Sequence, residues 1–270
     1  MASAALTLLG TGSSGGVPRI GNDWGDCDPT EPRNRRLRCS ALLEQTADGE
    51  EGRVTRVLID TSPDMREQLL AANVRALDGV VFTHDHADQT HGLDDLRVIA
   101  MLQRAQVTVH LDDETAKTLI AKFRYCFEGD KGYPAILKRA PAIAAYEPFT
   151  IEGAGGAIDL LPLQQQHGPI GSLGFRVGGL AYCNDVSGLP DRSLAALGGL
   201  DVLVIDALRR KPHPTHANLN QALEWIASLK PKRAILTNMH IDMDYETLRS
   251  ELPPGVEPGY DGMRIDGFST

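Results

Sequence analysis

Short apolar runs recur along the chain, at Leu6–Leu9, Ser40–Glu44, Val54–Ile59, Val80–Thr83, Val107–His110, Ile158–Leu163, Leu173–Val177, Leu180–Cys183, Val202–Ile205 and Ala234–Thr237. Their length and their Val/Ile/Leu content predict strands, and many end at a polar residue able to do chemistry. Between them, apolar residues at helical spacing predict helices over Pro63–Ala72, Asp94–Gln103, Asp112–Phe123, Asp191–Leu197 and Asn218–Leu229, the first with proline at its start. The early strands follow one another through short connections, whereas the later ones alternate with helices. That order predicts an α/β fold of two mixed sheets packed together and flanked by helices, with functional loops along one edge. The stretch from Phe127 to Pro148, rich in Gly, Pro and Ala, reads either as a cover for a site or as a surface excursion.

Length and composition narrow this picture. At 270 residues the chain is compatible with one α/β domain spanning 1–270, without internal repeats or low-complexity tracts. No apolar stretch approaches the ~20 residues that cross a bilayer, and the N-terminus lacks a basic-then-apolar leader, so no membrane association and a cytoplasmic location are expected. A net charge of -9 disfavours nucleic acid and points to a small-molecule partner. The cysteines, Cys27, Cys39, Cys126 and Cys183, form no CxxC pair and predict neither a disulfide framework nor a zinc ribbon. Cys27 lies in a glycine-bearing loop, where a functional thiol and a small buried hydrophobe are the two readings.

The chemistry concentrates after the run Gly79–Phe82, in Thr83, His84, Asp85, His86, Ala87, Asp88, Gln89, Thr90, His91 and Gly92. Alternate residues at an extended strand end point the same way, so His84 and His86 can converge on one ion while Asp88 addresses it or a neighbour. Imidazole with carboxylate suits zinc, manganese or iron. His91 lies three positions after Asp88 and shares its face once a helix has begun.

This segment resembles the metallo-β-lactamase superfamily, whose hallmark is HxHxDH at such a strand end. His167, Asp185 and His240 follow later strands in the superfamily's order. The resemblance implies the αβ/βα sandwich and two divalent metal ions, zinc or manganese with iron also compatible. It implies that His84, His86 and His167 hold one ion, Asp88 and His240 the other, and that Asp185 bridges them. Within the superfamily, the chain is most similar to the phosphoribosyl 1,2-cyclic phosphate phosphodiesterase family, and more distantly to ribonuclease Z. The supporting phrases run end to end: Leu8–Gly12 with Gly16, Val17 and Pro18; Arg35 and Arg36 with Cys39 and Ser40; Ser187–Pro190; His216–Asn220; and Gly259–Met263.

Three departures stand out. Gln89 replaces the histidine that usually follows the aspartate, so the second metal is weak or absent, or His91 substitutes for it. Asn238 stands where a histidine usually follows the threonine, leaving His240 as the histidine of that loop. The loop Gly21–Pro29 supplies only Cys27, so no structural zinc is expected.

The chemistry implied is hydrolysis of a phosphodiester in a small cyclic phosphate sugar or nucleotide. Asp88 would orient the attacking oxygen, and His216, which matches the relative's general acid, would protonate the leaving group. His213 is a candidate phosphate ligand; the alternative for both histidines is an exposed proline-rich turn. Ser13 and Ser14, in the loop Gly10–Gly16, are candidates for phosphate contact, although those glycines also suit a tight turn. Arg35, Arg36 and Arg38 read either as an anion-facing cluster or as a solvated face. His110 is expected to be structural. Rival functions are a ribonuclease Z-like RNA phosphodiesterase, thiolester or lactam hydrolysis, and a metal-binding homologue without turnover. A homodimer is compatible with the resemblance.

Overall fold

The computed structural model describes residues 3–47 and 52–270. Among them are fourteen strands. In chain order these are β1 (Ser3–Gly10), β2 (Ser40–Thr46), β3 (Val54–Ile59), β4 (Gly79–Val81), β5 (Val107–His110), β6 (Leu137–Arg139), β7 (Phe149–Ile151), β8 (Ile158–His167), β9 (Ile170–Val177), β10 (Leu180–Cys183), β11 (Val202–Asp206), β12 (Arg233–Thr237), β13 (Val256–Pro258) and β14 (Arg264–Asp266). The helices are α1 (Met65–Ala71), α2 (Ala87–Thr90), α3 (Leu96–Gln103), α4 (Asp113–Lys122), α5 (Arg124–Glu128), α6 (Asp191–Ala196), α7 (Leu219–Leu229) and α8 (Tyr245–Glu251).

The strands form two seven-stranded sheets, ordered β14-β1-β2-β3-β4-β5-β6 and β13-β12-β11-β10-β9-β8-β7. Each is mixed: β1, β2 and β3 pair antiparallel and β3 to β6 parallel, while β7 to β10 pair antiparallel and β10 to β13 parallel. Period-two alternation divides each central strand between two apolar layers. Ala41 and Leu43 of β2 and Val202 and Val204 of β11 face the core between the sheets. Leu42 faces the layer that includes α1, α3 and α4, and Leu203 and Ile205 face the layer that includes α6 and α7. This is the sandwich expected from the sequence. No helix among the described residues is long and apolar enough to cross a membrane.

The elements that depart from the sequence pattern have local causes. Strand β8 continues past Leu163 through three glutamines to His167, because its hairpin with β9 remains in register to the pair His167–Ile170. Gln165 is buried there, donating to Ser172 Oγ at 3.1 Å and to the Asn184 carbonyl at 2.8 Å. Strands β6, β7, β13 and β14 are three residues each, too short for a periodic signal. The stretch 127–148 supplies β6 to the edge of the first sheet and Ile143 to the central core, so it is an edge excursion. Strand β4 and strands β8, β10, β11 and β12 all end towards one edge of the sandwich. Two ties near that edge join the sheets: the Leu173 N–H donates to the Thr83 carbonyl at 2.9 Å, and Gly12 bridges both Arg38 and Met239.

Candidate metal centre

Asp60, just after β3, is buried and accepts both the Thr83 N–H and the Thr83 hydroxyl at 2.8 Å. Thr83 Oγ1 in turn lies 3.0 Å from His84 Nδ1. This chain fixes the first imidazole by its Nδ1, which leaves Nε2 as the free nitrogen. His84 Nε2 is buried and has no hydrogen-bond partner within the protein. His86 caps α2 in extended conformation, with φ -65° and ψ 154°. His167, at the end of β8, is held through Nδ1 by the Thr215 carbonyl at 2.6 Å, and its Nε2 lies 3.2 Å from His86 Nδ1.

The three rings sit 4.6, 5.0 and 4.9 Å apart, centre to centre. Burial, reinforced by the neighbouring histidines, holds His84 well below the usual imidazole range and lowers His167 to about 4. Both are therefore neutral at pH 7 and offer lone pairs. Three converging imidazole nitrogens, one of them otherwise an orphaned buried atom, fit a divalent metal ion. His86 is exposed, so the cluster opens to solvent.

Asp185 follows β10 in left-handed conformation, φ 50°, and is buried beside this cluster. Its Oδ2 accepts from the Gln89 and Asn184 carboxamides, each at 2.8 Å, and its Oδ1 accepts from the Asn238 carboxamide at 3.1 Å. Burial, and then the Asp88 charge, push its carboxyl well above the usual range, against a lowering by His216. Asp88 is half-buried, 3.3 Å from the Gln89 amide.

His216 closes the next side, its ring 4.7 Å from that of His167 and 5.1 Å from that of His213. His216 Nδ1 lies 2.9 Å from Oδ2 of the fully buried Asp206 and 3.4 Å from Asp185 Oδ1. Burial opposes charge on His216, yet the bond to Asp206 and the charges of Asp206, Asp185 and Asp88 lift it to about 9. We place the shared proton on His216 Nδ1, because Asp206 Oδ2 also accepts the Val186 N–H at 3.1 Å.

Several sequence expectations need correction. His91 does not substitute at Gln89: it caps the end of α2, is exposed, and sets its ring against Phe123 at 6.0 Å. His240 does not join the cluster either. The left-handed turn at Asn238, φ 61°, aims Asn238 at Asp185, while His240 Nδ1 pairs with Asp242 at 3.1 Å and its Nε2 contacts Arg19. In the loop Gly10–Gly16, the amides of Thr11, Gly12, Ser13 and Gly16 are already bonded within the protein, and Ser14 is exposed. Arg36 is buried, donating to the Met243 carbonyl at 2.7 Å, and Arg38 pairs with Asp64 at 2.6 Å, so this cluster is largely structural. Burial raises the Cys27 thiol, against a thiolate role. His110 stacks on Phe149 at 5.1 Å. Sequence reading missed Asp60 and Asp206; both directly follow or end an apolar run, the same signal that marked the histidines.

A family model described as the beta-lactamase superfamily domain matches residues 55–241. A solved diphosphatase of the PhnP family is 35% identical, with 97% of each chain covered and a TM-score of 0.85. Zinc-bound PqqB from Methylobacterium extorquens superposes with a TM-score of 0.69 at 20% identity, covering 97% of this chain and 99% of that one. The short form of human tRNase Z does so at 0.64 and 15%, covering 97% and 98%. These last two likenesses concern the fold. An octanoyltransferase of Porphyromonas gingivalis (strain ATCC BAA-308 / W83) is 31% identical over 260 residues, 95% of this chain; the chain spans about half the length of that curated relative.

Proposed function

Because the chain belongs to the beta-lactamase superfamily and is a metal-dependent hydrolase, we propose that it cleaves a phosphodiester in a small phosphorylated molecule, a cyclic phosphate sugar or nucleotide. The observation that carries this reading is the position of His216, whose ring is centred 4.7 Å from that of His167 and is anchored on a buried carboxylate, as a proton donor to a leaving group would be. The 35% identity to a PhnP-family diphosphatase supports phosphoryl chemistry over other acyl or amide substrates.

His84, His86 and His167, with Asp185 beside them, would hold the divalent ion. When bound, such an ion supplies Lewis-acid activation of water and neutralises charge on phosphoryl oxygens. The protein's own groups do the rest. Asp88, at the open rim, orients the attacking water and takes its proton. With Nδ1 committed to Asp206, His216 presents Nε2, which protonates the ester oxygen as its bond to phosphorus breaks. Water thus adds across the P–O bond, giving an alcohol and a phosphomonoester. His213 lies beside His216 with its Nδ1 turned to Thr215 at 3.2 Å, so its Nε2 is placed to meet a phosphate oxygen. A chain charge of -9 favours compact substrates over long nucleic acids.

The test is hydrolysis of bis-(p-nitrophenyl) phosphate and of a ribose cyclic phosphate by metal-loaded protein, wild type against His216→Ala. Metal-dependent turnover that falls roughly 10²–10⁴-fold in the variant, with metal still bound, is the expected result. Cleavage of a thiolester with neither phosphodiester attacked would overturn the reading.

A further inference from the structure

Asp185 shows how many ions the centre can take. A carboxylate offers about four acceptor positions. Three are occupied by carboxamide N–H groups, from Gln89, Asn184 and Asn238. About one position remains, enough for a single ion and too few for a bridge between two.

The surrounding donors agree. Among the described residues, two groups of metal-binding side chains occur here, His84 with His86 and His167, and His167 with Asp185 and His216. They share His167, and that histidine has one nitrogen to give, because Nδ1 is spent on the Thr215 carbonyl at 2.6 Å. The His216 nitrogen that faces Asp185 is likewise spent on Asp206. On the far side of Asp185 stand Gln89 and Asn238, neutral carboxamides that turn N–H groups towards the carboxylate. Turning either amide over would set its oxygen against the carboxylate oxygens. These residues do not fit a second ion.

We propose that this centre binds one divalent ion per chain, and that the Gln89 and Asn238 carboxamides replace a second ion by hydrogen-bonding Asp185. The inference rests on the metal-dependent reading of the three histidines, and it departs from the pair of ions that the sequence resemblance implies. Charge that a second cation would neutralise is instead met by amide dipoles.

Elemental analysis tests this on the full chain, stripped with chelator, reloaded with Zn(II) or, separately, Mn(II), and freed of excess ion. Wild type is expected to retain one equivalent, and His84→Ala to lose it. The Gln89→His/Asn238→His double variant, which supplies two imidazoles around Asp185, is expected to retain two. Two equivalents on wild type overturn the single-ion centre. A double variant that is folded by circular dichroism and still retains one overturns the role given to the two carboxamides. No retention by wild type, with His84→Ala indistinguishable from it, would instead defeat the metal-dependent reading itself.

Discussion

His216 depends on a residue ten positions earlier. Asp206 is fully buried at the end of β11, and its bond to His216 Nδ1 offsets the burial that would keep the imidazole neutral. A histidine raised to about 9 carries its proton across the neutral range, so a donor role persists up to that pH and fades above it. The same shift has a stability sign: the contribution is complete below the ordinary imidazole value near 6.5 and is lost as pH rises through about 9. Asp206→Asn keeps the shape and removes the charge. Its pH–rate profile is expected to lose activity from a lower pH than wild type, with the alkaline limb moved down by more than one unit. An unchanged limb would remove Asp206 from the mechanism. His84 and His86 were legible as candidate ligands because they follow an apolar run that predicts a strand, whereas His167, three glutamines beyond its predicted strand, was implied by the family resemblance. Asn238 and His240 were not separable, because the choice between them turns on one left-handed backbone angle that residue type does not fix. Asp206 was invisible as a partner for a similar reason, since only the folded chain brings β11 beside the turn that carries His216.

Helix α2 shows how an element's end holds the site in place, and α8 how one holds the loop at Asp28 and Asn34. Gly92 follows α2, and a β-carbon there would lie 2.1 Å from the Ser62 carbonyl and 2.9 Å from Met65 Cβ. The glycine is needed for close approach, at an ordinary φ of -83°. Gly92→Ala is expected to cost about 1–3 kcal/mol in urea denaturation and to weaken metal retention, because α2 carries His86 and Asp88 at its start. Wild-type stability in that variant would show that the contact relaxes freely. Helix α8 begins at Asp244, whose carboxylate accepts the Thr247 N–H at 2.9 Å, the Asp28 N–H at 3.1 Å and the Asn34 amide at 2.6 Å. Burial opposes its ionisation, but these bonds lower it to about 2, so its support is present above the ordinary carboxylate range and is lost as pH falls through about 2. Asp244→Ala is expected to lower stability by about 1 kcal/mol at pH 7. The gap between variant and wild type should close in acid, and a gap independent of pH would assign the loss to packing. The longer helices and central strands were legible from periodicity, whereas α8 went unread because seven residues after a loop give barely two turns of pattern.

Across the whole molecule the candidate ligands divide between the sheets. His84 and His86 follow β4 of the first sheet, while His167 ends β8 and Asp185 follows β10 of the second. An ion held by both sets would join the halves at the edge where the Leu173 N–H meets the Thr83 carbonyl and Gln89 meets Asp185. Burial of His84 Nε2 without a partner, and of Asp185 without a cation, are costs the folded chain bears when the ion is gone. Binding confined to the folded state adds RT ln(1 + [L]/Kd), about 4 kcal/mol at a thousandfold excess over Kd. For a chain of this size that corresponds to a rise on the order of 10 °C in melting temperature. Chelation should therefore lower the wild-type melting temperature by about this amount, restored by Zn(II), while His84→Ala melts at the lower value with or without it. Equal melting of chelated and reloaded protein, with retention verified by elemental analysis, would mean that the unfolded chain holds the ion as tightly as the folded one. The joining role assigned to it here would then be wrong, although the catalytic role would stand.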